Sequence, residues 1–181
     1  LFGVFEIPLY ISYILSIFII IFIINSYNLI DGIDTIASLF GIIYLSFFGL
    51  VCFFNNLFPE LFLCISIIGS LISFLYYNKP PAKIFMGDSG TLVIGLIISY
   101  YVFRLFDESL FFNIEFNPIF FVALLLYPVT DTLRVIFLRI INGISPFRGD
   151  RRHIHHVLVD FGFGHLTTSL IIVTFNLIVL C

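Results

Sequence analysis

The chain has 181 residues, of which 61% are apolar and only 10% are Asp, Glu, Lys or Arg, against roughly a quarter charged in ordinary soluble domains. With a mean hydropathy of +1.18, a soluble fold of this size cannot hide so much apolar surface in one core, which places the chain in a membrane. A net charge of -3 offers no basic footprint for nucleic acid. The three cysteines, Cys52, Cys64 and Cys181, sit in apolar runs with neither disulfide-framework nor zinc-type spacing.

A helix crosses a hydrocarbon core of roughly 30 Å in about 20 residues. On that measure the sequence predicts an all-α, polytopic membrane protein of about six transmembrane helices, over 7–24, 35–54, 61–77, 91–106, 118–142 and 166–181. Membrane-spanning strands need only about ten residues in strict alternation, whereas these runs are longer and apolar on every side. The fifth run carries Asp131 and Arg134. Their i, i+3 spacing reads first as mutual charge compensation and second as support for a site beyond the helix. The chain opens at Leu1 without a basic leader and stops within an apolar run. The expectation is a single transmembrane domain over 1–181, belonging to a longer multi-span protein.

Six spans put alternate loops on opposite sides. Loops 25–34, 78–90 and 143–165 share one side and hold Lys79, Lys83, Arg148, Arg151 and Arg152, with Arg139 near the same end of its helix. The other side has Arg104 alone, beside Glu6, Glu60, Asp107, Glu108 and Glu115. The positive-inside rule makes the basic side cytoplasmic. The same side collects Asn25, Asn28, Asp31, Asp34, Asp88, Asp150 and every histidine. Reactive groups thus gather at the face where soluble metabolites arrive.

Three motifs lie on that face. In the first, Asn25, Asn28, Asp31 and Asp34 recur every third residue, so neighbours in the series share a helix face with a drift of about 60°. Carboxylates one turn apart repel unless a cation or proton lies between them. The plainer reading is a helix boundary with Asp34 as N-cap of a span starting at Thr35. That leaves Asn25, Asn28 and Asp31 unexplained at a span end, where polar residues are costly. The second motif, Pro80 to Thr91, is a shaped loop with two prolines and two glycines. Ser89 or Thr91 can cap the next span, and Asp88 is either a capping charge or a ligand for a divalent ion bridging to phosphate. Lys83 is either a phosphate point charge or a topology signal. The third, Ser145 to His156, packs Arg148, Arg151, Arg152, His153, His155 and His156 into nine residues. Lipid headgroups, a transition metal or an oxyanion pocket all suit such a cluster. His165 stands apart and reads as a loop residue.

Taken together and in this order, Asn28-Leu-Ile-Asp31-Gly-Ile-Asp34, Pro81-Ala-Lys-Ile-Phe-Met-Gly-Asp88-Ser-Gly90 and Ser145-Pro-Phe-Arg-Gly-Asp150-Arg-Arg-His153-Ile-His155-His156 resemble the polyprenyl-phosphate N-acetylhexosamine-1-phosphate transferases, the WecA/MraY family. The His-Ile-His-His form is more similar to the WecA branch, whose usual donor is a UDP-N-acetylhexosamine, than to the MraY branch, which uses UDP-MurNAc-pentapeptide. The resemblance implies transfer of a sugar-1-phosphate, GlcNAc-1-phosphate first, from a UDP-sugar to a polyprenyl phosphate such as undecaprenyl phosphate. The reaction would release UMP at the cytoplasmic face of a bacterial membrane and serve cell-envelope polysaccharide synthesis. It implies Asp88 as ligand of magnesium, or of manganese in its place, and Asn28, Asp31 and Asp34 lining the catalytic centre. Lys83, Arg151, Arg152, His153, His155 and His156 would bind the phosphates or the nucleotide. A homodimer within the bilayer is compatible with it. Two departures stand out. The family's earlier Asp-Asp motif is absent here, which bears on whether this stretch acts alone, and Thr35 follows Asp34 where the family often has Gly. The rival class is a transporter or anion-binding scaffold, which would place ionisable groups nearer the bilayer midplane.

Overall fold

A computed structural model describes residues 8–104, 123–146 and 151–180. The described residues form helices only: α1 (Leu9–Leu29), α2 (Ile36–Phe54), α3 (Phe58–Asn78), α4 (Gly87–Arg104), α5 (Leu126–Ile141), α6 (Ile154–Asp160) and α7 (His165–Leu180). A chain in hydrocarbon must satisfy every backbone N–H and C=O within itself, and an uninterrupted apolar run does so as a helix. α1, α2 and α3 are each long and apolar enough to cross a membrane, and α7 is a shorter apolar helix. α4 and α5 occupy the places of two further expected spans. Residues 105–106 and 118–122 of those spans, and the acidic residues of 107–117, lie outside the described residues.

α2 is the central helix. It packs along α3 and touches α4 and α7, while α1 packs along α4 and reaches α5. Of the most apolar stretch of α2, 61% is buried against 11% in α1 and α3, so α1 and α3 present their sides to lipid. Tyr10, Ile14, Phe18, Phe62, Ile65 and Ile72 are all more than half exposed in the isolated chain, a surface that only a bilayer or a protein partner covers without penalty. The helices meet on rings and on one close backbone approach. Phe40 stacks on Tyr127 and Phe48 on Tyr101, each with centroids 5.3 Å apart, joining α2 to α5 and α4. A Cβ at Gly95 would lie 3.0 Å from the Cα of Ile24, so the missing side chain lets α4 close on α1.

Polar pins fix the two ends. At one end the Tyr101 hydroxyl donates to the Glu60 carbonyl at 2.6 Å and Arg104 pairs with the Glu60 carboxylate at 3.5 Å, joining α4 to α3. At the other, the buried Asn78 at the end of α3 accepts from the Thr35 N–H at 2.8 Å and donates to the Ile84 carbonyl at 2.9 Å. One amide therefore ties the α1–α2 connection to the α3–α4 connection. Asn176 of α7 accepts from the Tyr127 N–H and donates to the Leu124 carbonyl, both at 3.0 Å, holding α7 against the start of α5.

Helix boundaries differ from the sequence expectation at the polar end. α1 continues to Leu29, because Asn25 and Asn28 keep helical backbone and the Asn25 amide bonds back to the Ile21 carbonyl at 2.8 Å. Only the short stretch between Leu29 and Ile36 is a connection. Asp34 does not cap α2: the N-cap is Thr35, at φ 76° in the left-handed region, with no side-chain cap bond. α4 starts at Gly87, so Ser89 and Thr91 are inside the helix rather than capping it, and the Thr91 hydroxyl bonds back to the Gly87 carbonyl at 3.1 Å.

Candidate functional site

The first and second motifs meet at the end of α1. The Asn28 side chain, on the last turn of α1, donates to Asp88 Oδ1 at 3.1 Å and to the Thr91 hydroxyl at 2.6 Å, both on the first turns of α4. Asp31 follows one turn later and takes a hydrogen bond from the backbone of Gly87. Burial pushes the Asp31 carboxyl up to about 6; the Gly87 hydrogen bond opposes this, and the charges of Asp88 and Asp34 add to it. Asp31 and Asp88 thus form an electronegative patch at a helix N-terminus, with the charge of Asp34 felt at Asp31, and Asp88 also faces the positive end of the α4 dipole.

The third motif closes over the first. Gly32 has no room for a side chain: a Cβ there would overlap the Nε2 of His155 and lie 2.9 Å from that of His156. His155 and His156 lie in α6, a helix where the sequence reading had a loop. The rings of His153, His155 and His156 form a row, with centroids 5.5 and 4.4 Å apart. Burial holds His155 down to about 3, so its imidazole is neutral near neutral pH; burial also lowers His156, with the Arg151 charge adding to the effect. The Nε2 atoms of His153 and His155 are buried and lack a hydrogen-bond partner among the described residues.

α5 supports this row. Asp131 accepts from Arg134 at 2.7 and 3.1 Å, from His153 Nδ1 at 2.9 Å, and from the Ile154 N–H at 3.2 Å. The first sequence reading of the Asp131–Arg134 pair therefore holds, since the two compensate each other, and the pair also anchors the start of α6. Arg134 donates further to the Arg152 carbonyl at 2.5 Å.

Not every expected site residue joins the cluster. Arg151 pairs with Asp160 at 3.1 Å on the surface. Lys83 is exposed; its backbone N–H donates to the Tyr77 carbonyl at 2.9 Å, and its ammonium touches none of the site residues among those described. Arg148 and Asp150 lie outside the described residues. Asp34 is turned toward α7, where His165 Nδ1 lies 3.0 Å from its carboxylate and the Ser169 hydroxyl donates to its carbonyl at 3.1 Å. His165 is thus no isolated loop residue but the first residue of α7, paired with a motif carboxylate. Sequence reasoning also passed over Asn78, Thr91 and Tyr127. For Tyr127 a signal existed, since a tyrosine in an apolar run needs a partner for its hydroxyl. For Asn78 and His165 the partners lie 43 and 131 residues away in the chain, beyond any spacing rule.

Among the described residues no three His, Cys, Asp or Glu side chains gather as a metal cage. A magnesium ion does not require one, since it takes one or two carboxylates and completes its shell with phosphate oxygens and water. The hard oxygen donors of Asp88 and Asp31 fit such an ion, as does an Asp31 carboxyl raised first by burial and then by the charge of Asp88.

A bundle of apolar helices with carboxylates, an asparagine and a histidine row at one end defines a polytopic membrane protein with a polar cluster at one end of its helices. The sequence profile of the family described as Glycosyl transferase family 4 matches residues 1–106, more than half of the chain, and the chain belongs to that family. It is 36% identical over 162 residues to the probable undecaprenyl-phosphate N-acetylglucosaminyl 1-phosphate transferase of Bacillus subtilis, covering 89% of this chain and 44% of that protein. It is 26% identical over 156 residues to the undecaprenyl-phosphate alpha-N-acetylglucosaminyl 1-phosphate transferase of Escherichia coli K12, covering 84% of this chain and 42% of the relative. A shorter match, 41% identical over 102 residues, covers 55% of this chain and 31% of the phospho-N-acetylmuramoyl-pentapeptide-transferase of Enterococcus faecalis. The chain thus spans less than half the length of these relatives.

Proposed function

We propose that the protein containing this chain transfers N-acetylhexosamine-1-phosphate, GlcNAc-1-phosphate first among the candidates, from a UDP-sugar to a polyprenyl phosphate at the cytoplasmic face of a bacterial membrane. The observation that carries the reading is the convergence of three separated motifs on one point: Asn28 bonded to Asp88, and Gly32 under His155 and His156. Attack of a lipid phosphate on the β-phosphorus brings two anions together, so charge compensation and alignment are the main catalytic tasks. A magnesium ion held by Asp88, when bound, would offset pyrophosphate charge. Asn28 fixes the Asp88 carboxylate by donating to it, and Asp31 lies near enough to feel its charge. His153, His155 and His156 contribute ring nitrogens toward phosphate, with Arg152 beside them. Asp34, through His165, anchors α7 to the connection that carries Asp31. The 36% identity to the Bacillus transferase over most of this chain and the His-Ile-His-His form favour the GlcNAc donor over the pentapeptide donor.

The test is release of UMP by the intact natural protein, reconstituted with undecaprenyl phosphate and offered several UDP-sugars in turn. UMP release dependent on both lipid and UDP-GlcNAc is the expected result. Release from UDP-MurNAc-pentapeptide alone would move the donor to the other branch. Binding of UDP-sugars without any UMP would support an anion-binding scaffold or transporter instead.

A further inference from the structure

The histidine row is held from one side by α5, through the Nδ1 of two of its rings. Tyr127 and Asp131 are one helical turn apart on the buried face of α5. The Tyr127 hydroxyl lies 3.0 Å from His155 Nδ1, and Asp131 Oδ2 lies 2.9 Å from His153 Nδ1. Both imidazoles therefore leave Nε2 as their free nitrogen, and both Nε2 atoms are buried without a partner among the described residues. His155 Nε2 is the atom that lies against Gly32, between Asp31 and Asp34 in the chain.

The two holders impose different chemistry. An ionised carboxylate only accepts, so Asp131 requires the proton of His153 on Nδ1. Tyr127 works in the opposite sense. Its hydroxyl is buried; its oxygen takes a hydrogen bond from the His155 backbone N–H, and the His155 ring nitrogen is the acceptor within reach of its hydrogen. If His155 Nδ1 carried the proton and donated, two buried groups, the phenolic hydrogen and the bare Nε2, would be left without partners, whereas a donating Tyr127 leaves only the Nε2–H so. Tyr127 therefore donates to Nδ1, and His155 carries its own proton on Nε2. In a neutral imidazole the hydrogen bond made by one ring nitrogen decides which state the other presents.

We propose that Tyr127 and Asp131 are positioning residues that hold His155 and His153 through Nδ1, so that His155 carries its proton on Nε2 against Gly32 and α6 is seated over the connection that carries Asp31. This rests on the transferase reading of the site. It goes beyond it in assigning a tautomer and in giving two membrane-helix residues, neither of which need touch substrate, a role in the reaction. The positions are hard to replace. Phe40 stacks flat on the Tyr127 ring, at an interplanar angle of 5°, and Arg134 and the Ile154 N–H share the Asp131 carboxylate with His153.

The experiment uses the intact natural protein in bilayers, with histidine labelled by 15N, and reads the ring nitrogens by solid-state NMR; His155→Asn identifies the His155 signals. The expected wild-type spectrum has the His155 proton on Nε2. Tyr127→Phe keeps the ring and its stacking but removes the donor. It should give a mixture of His155 tautomers and lower turnover about tenfold, the scale seen when the partner that orients a functional histidine is lost. Asp131→Asn should lower turnover by a similar factor, and Asp131→Glu should restore part of it. A wild-type His155 with its proton on Nδ1, an unchanged spectrum in Tyr127→Phe, or Asp131→Asn turnover within twofold of wild type would overturn the proposal. Failure of the transferase reading shows separately, as absence of UMP release by the wild type; the tautomer spectrum then decides whether Tyr127 positions His155.

Discussion

At Gly32 the constraint is space rather than backbone conformation. Its φ is not positive, but a Cβ would collide with the His155 ring, and that ring is fully buried and tethered through Nδ1. The imidazole cannot swing aside without giving up Tyr127. Gly32→Ala should therefore lower UMP release by at least about tenfold, since displacing a positioned group by about an ångström carries a cost of that order or more. Turnover near wild type would mean that α6 yields freely and that the first and third motifs are not locked together. Thr35 presents the reverse case, a side chain where conformation favours none. It sits at φ 76° with its hydroxyl buried and unpartnered among the described residues. A β-branched residue pays roughly 1–2 kcal/mol in the left-handed region, and glycine recovers this less its own entropy cost of roughly 0.5–1 kcal/mol. Thr35→Gly should raise the midpoint of thermal unfolding slightly, and a fall would show that Thr35 packing outweighs the backbone term. The family resemblance, with Gly common at this position, points the same way.

Elements are held together here by a few buried amides and carboxylates rather than by loops. Asn176 illustrates this: it is 1% exposed and satisfies both the Tyr127 N–H and the Leu124 carbonyl. Asn176→Leu is nearly isosteric but strands two buried backbone groups, at about 1–3 kcal/mol each. The expected outcome in detergent is a clearly lower unfolding midpoint with the helical circular dichroism spectrum retained below it. An unchanged midpoint would mean that water replaces the amide. Element by element, the sequence was readable where physics is local. Apolar runs of about 20 residues announced α1, α2 and α3, and Asp88 in the first turn of α4 was in the place that the dipole favours. It was not readable where the deciding partner is remote. Asn78 fell at the start of an expected loop, yet it ends α3 and its side chain joins two connections. His165 looked isolated because Asp34 lies on the far side of the chain in sequence. The start of α2 was misplaced because Thr35 adopts a backbone conformation that its side chain argues against.

For the molecule as a whole, orientation and site are one claim. The connection between α1 and α2, the connection between α3 and α4, and α6 all lie at one end, and the turn between α2 and α3 lies at the other. Asn78 is buried and so is a poor reporter, whereas Lys83 and Phe161 are exposed at the site end and Phe58 is half-exposed at the opposite end. In a background without other accessible thiols, Lys83→Cys and Phe161→Cys should resist an impermeant thiol reagent applied outside intact cells, and Phe58→Cys should react. The reverse pattern would turn the site away from the cytoplasm and its nucleotide-sugars.

Asp88 tests the central claim most directly. As a simple first-turn charge it contributes roughly 0.3–1 kcal/mol to α4 through the helix dipole, and asparagine serves near a helix N-terminus about as well. As the ligand of a hard divalent ion its negative charge is needed. The measurement is UMP release by Asp88→Asn in the intact protein across a magnesium titration. The account predicts normal insertion and purification, a loss of at least about a hundredfold in turnover, equivalent to roughly 2.7 kcal/mol of transition-state stabilisation, and partial recovery at high magnesium. Turnover within a few-fold of wild type at limiting magnesium would contradict it and reduce the carboxylate beside Asn28 to a helix-end charge.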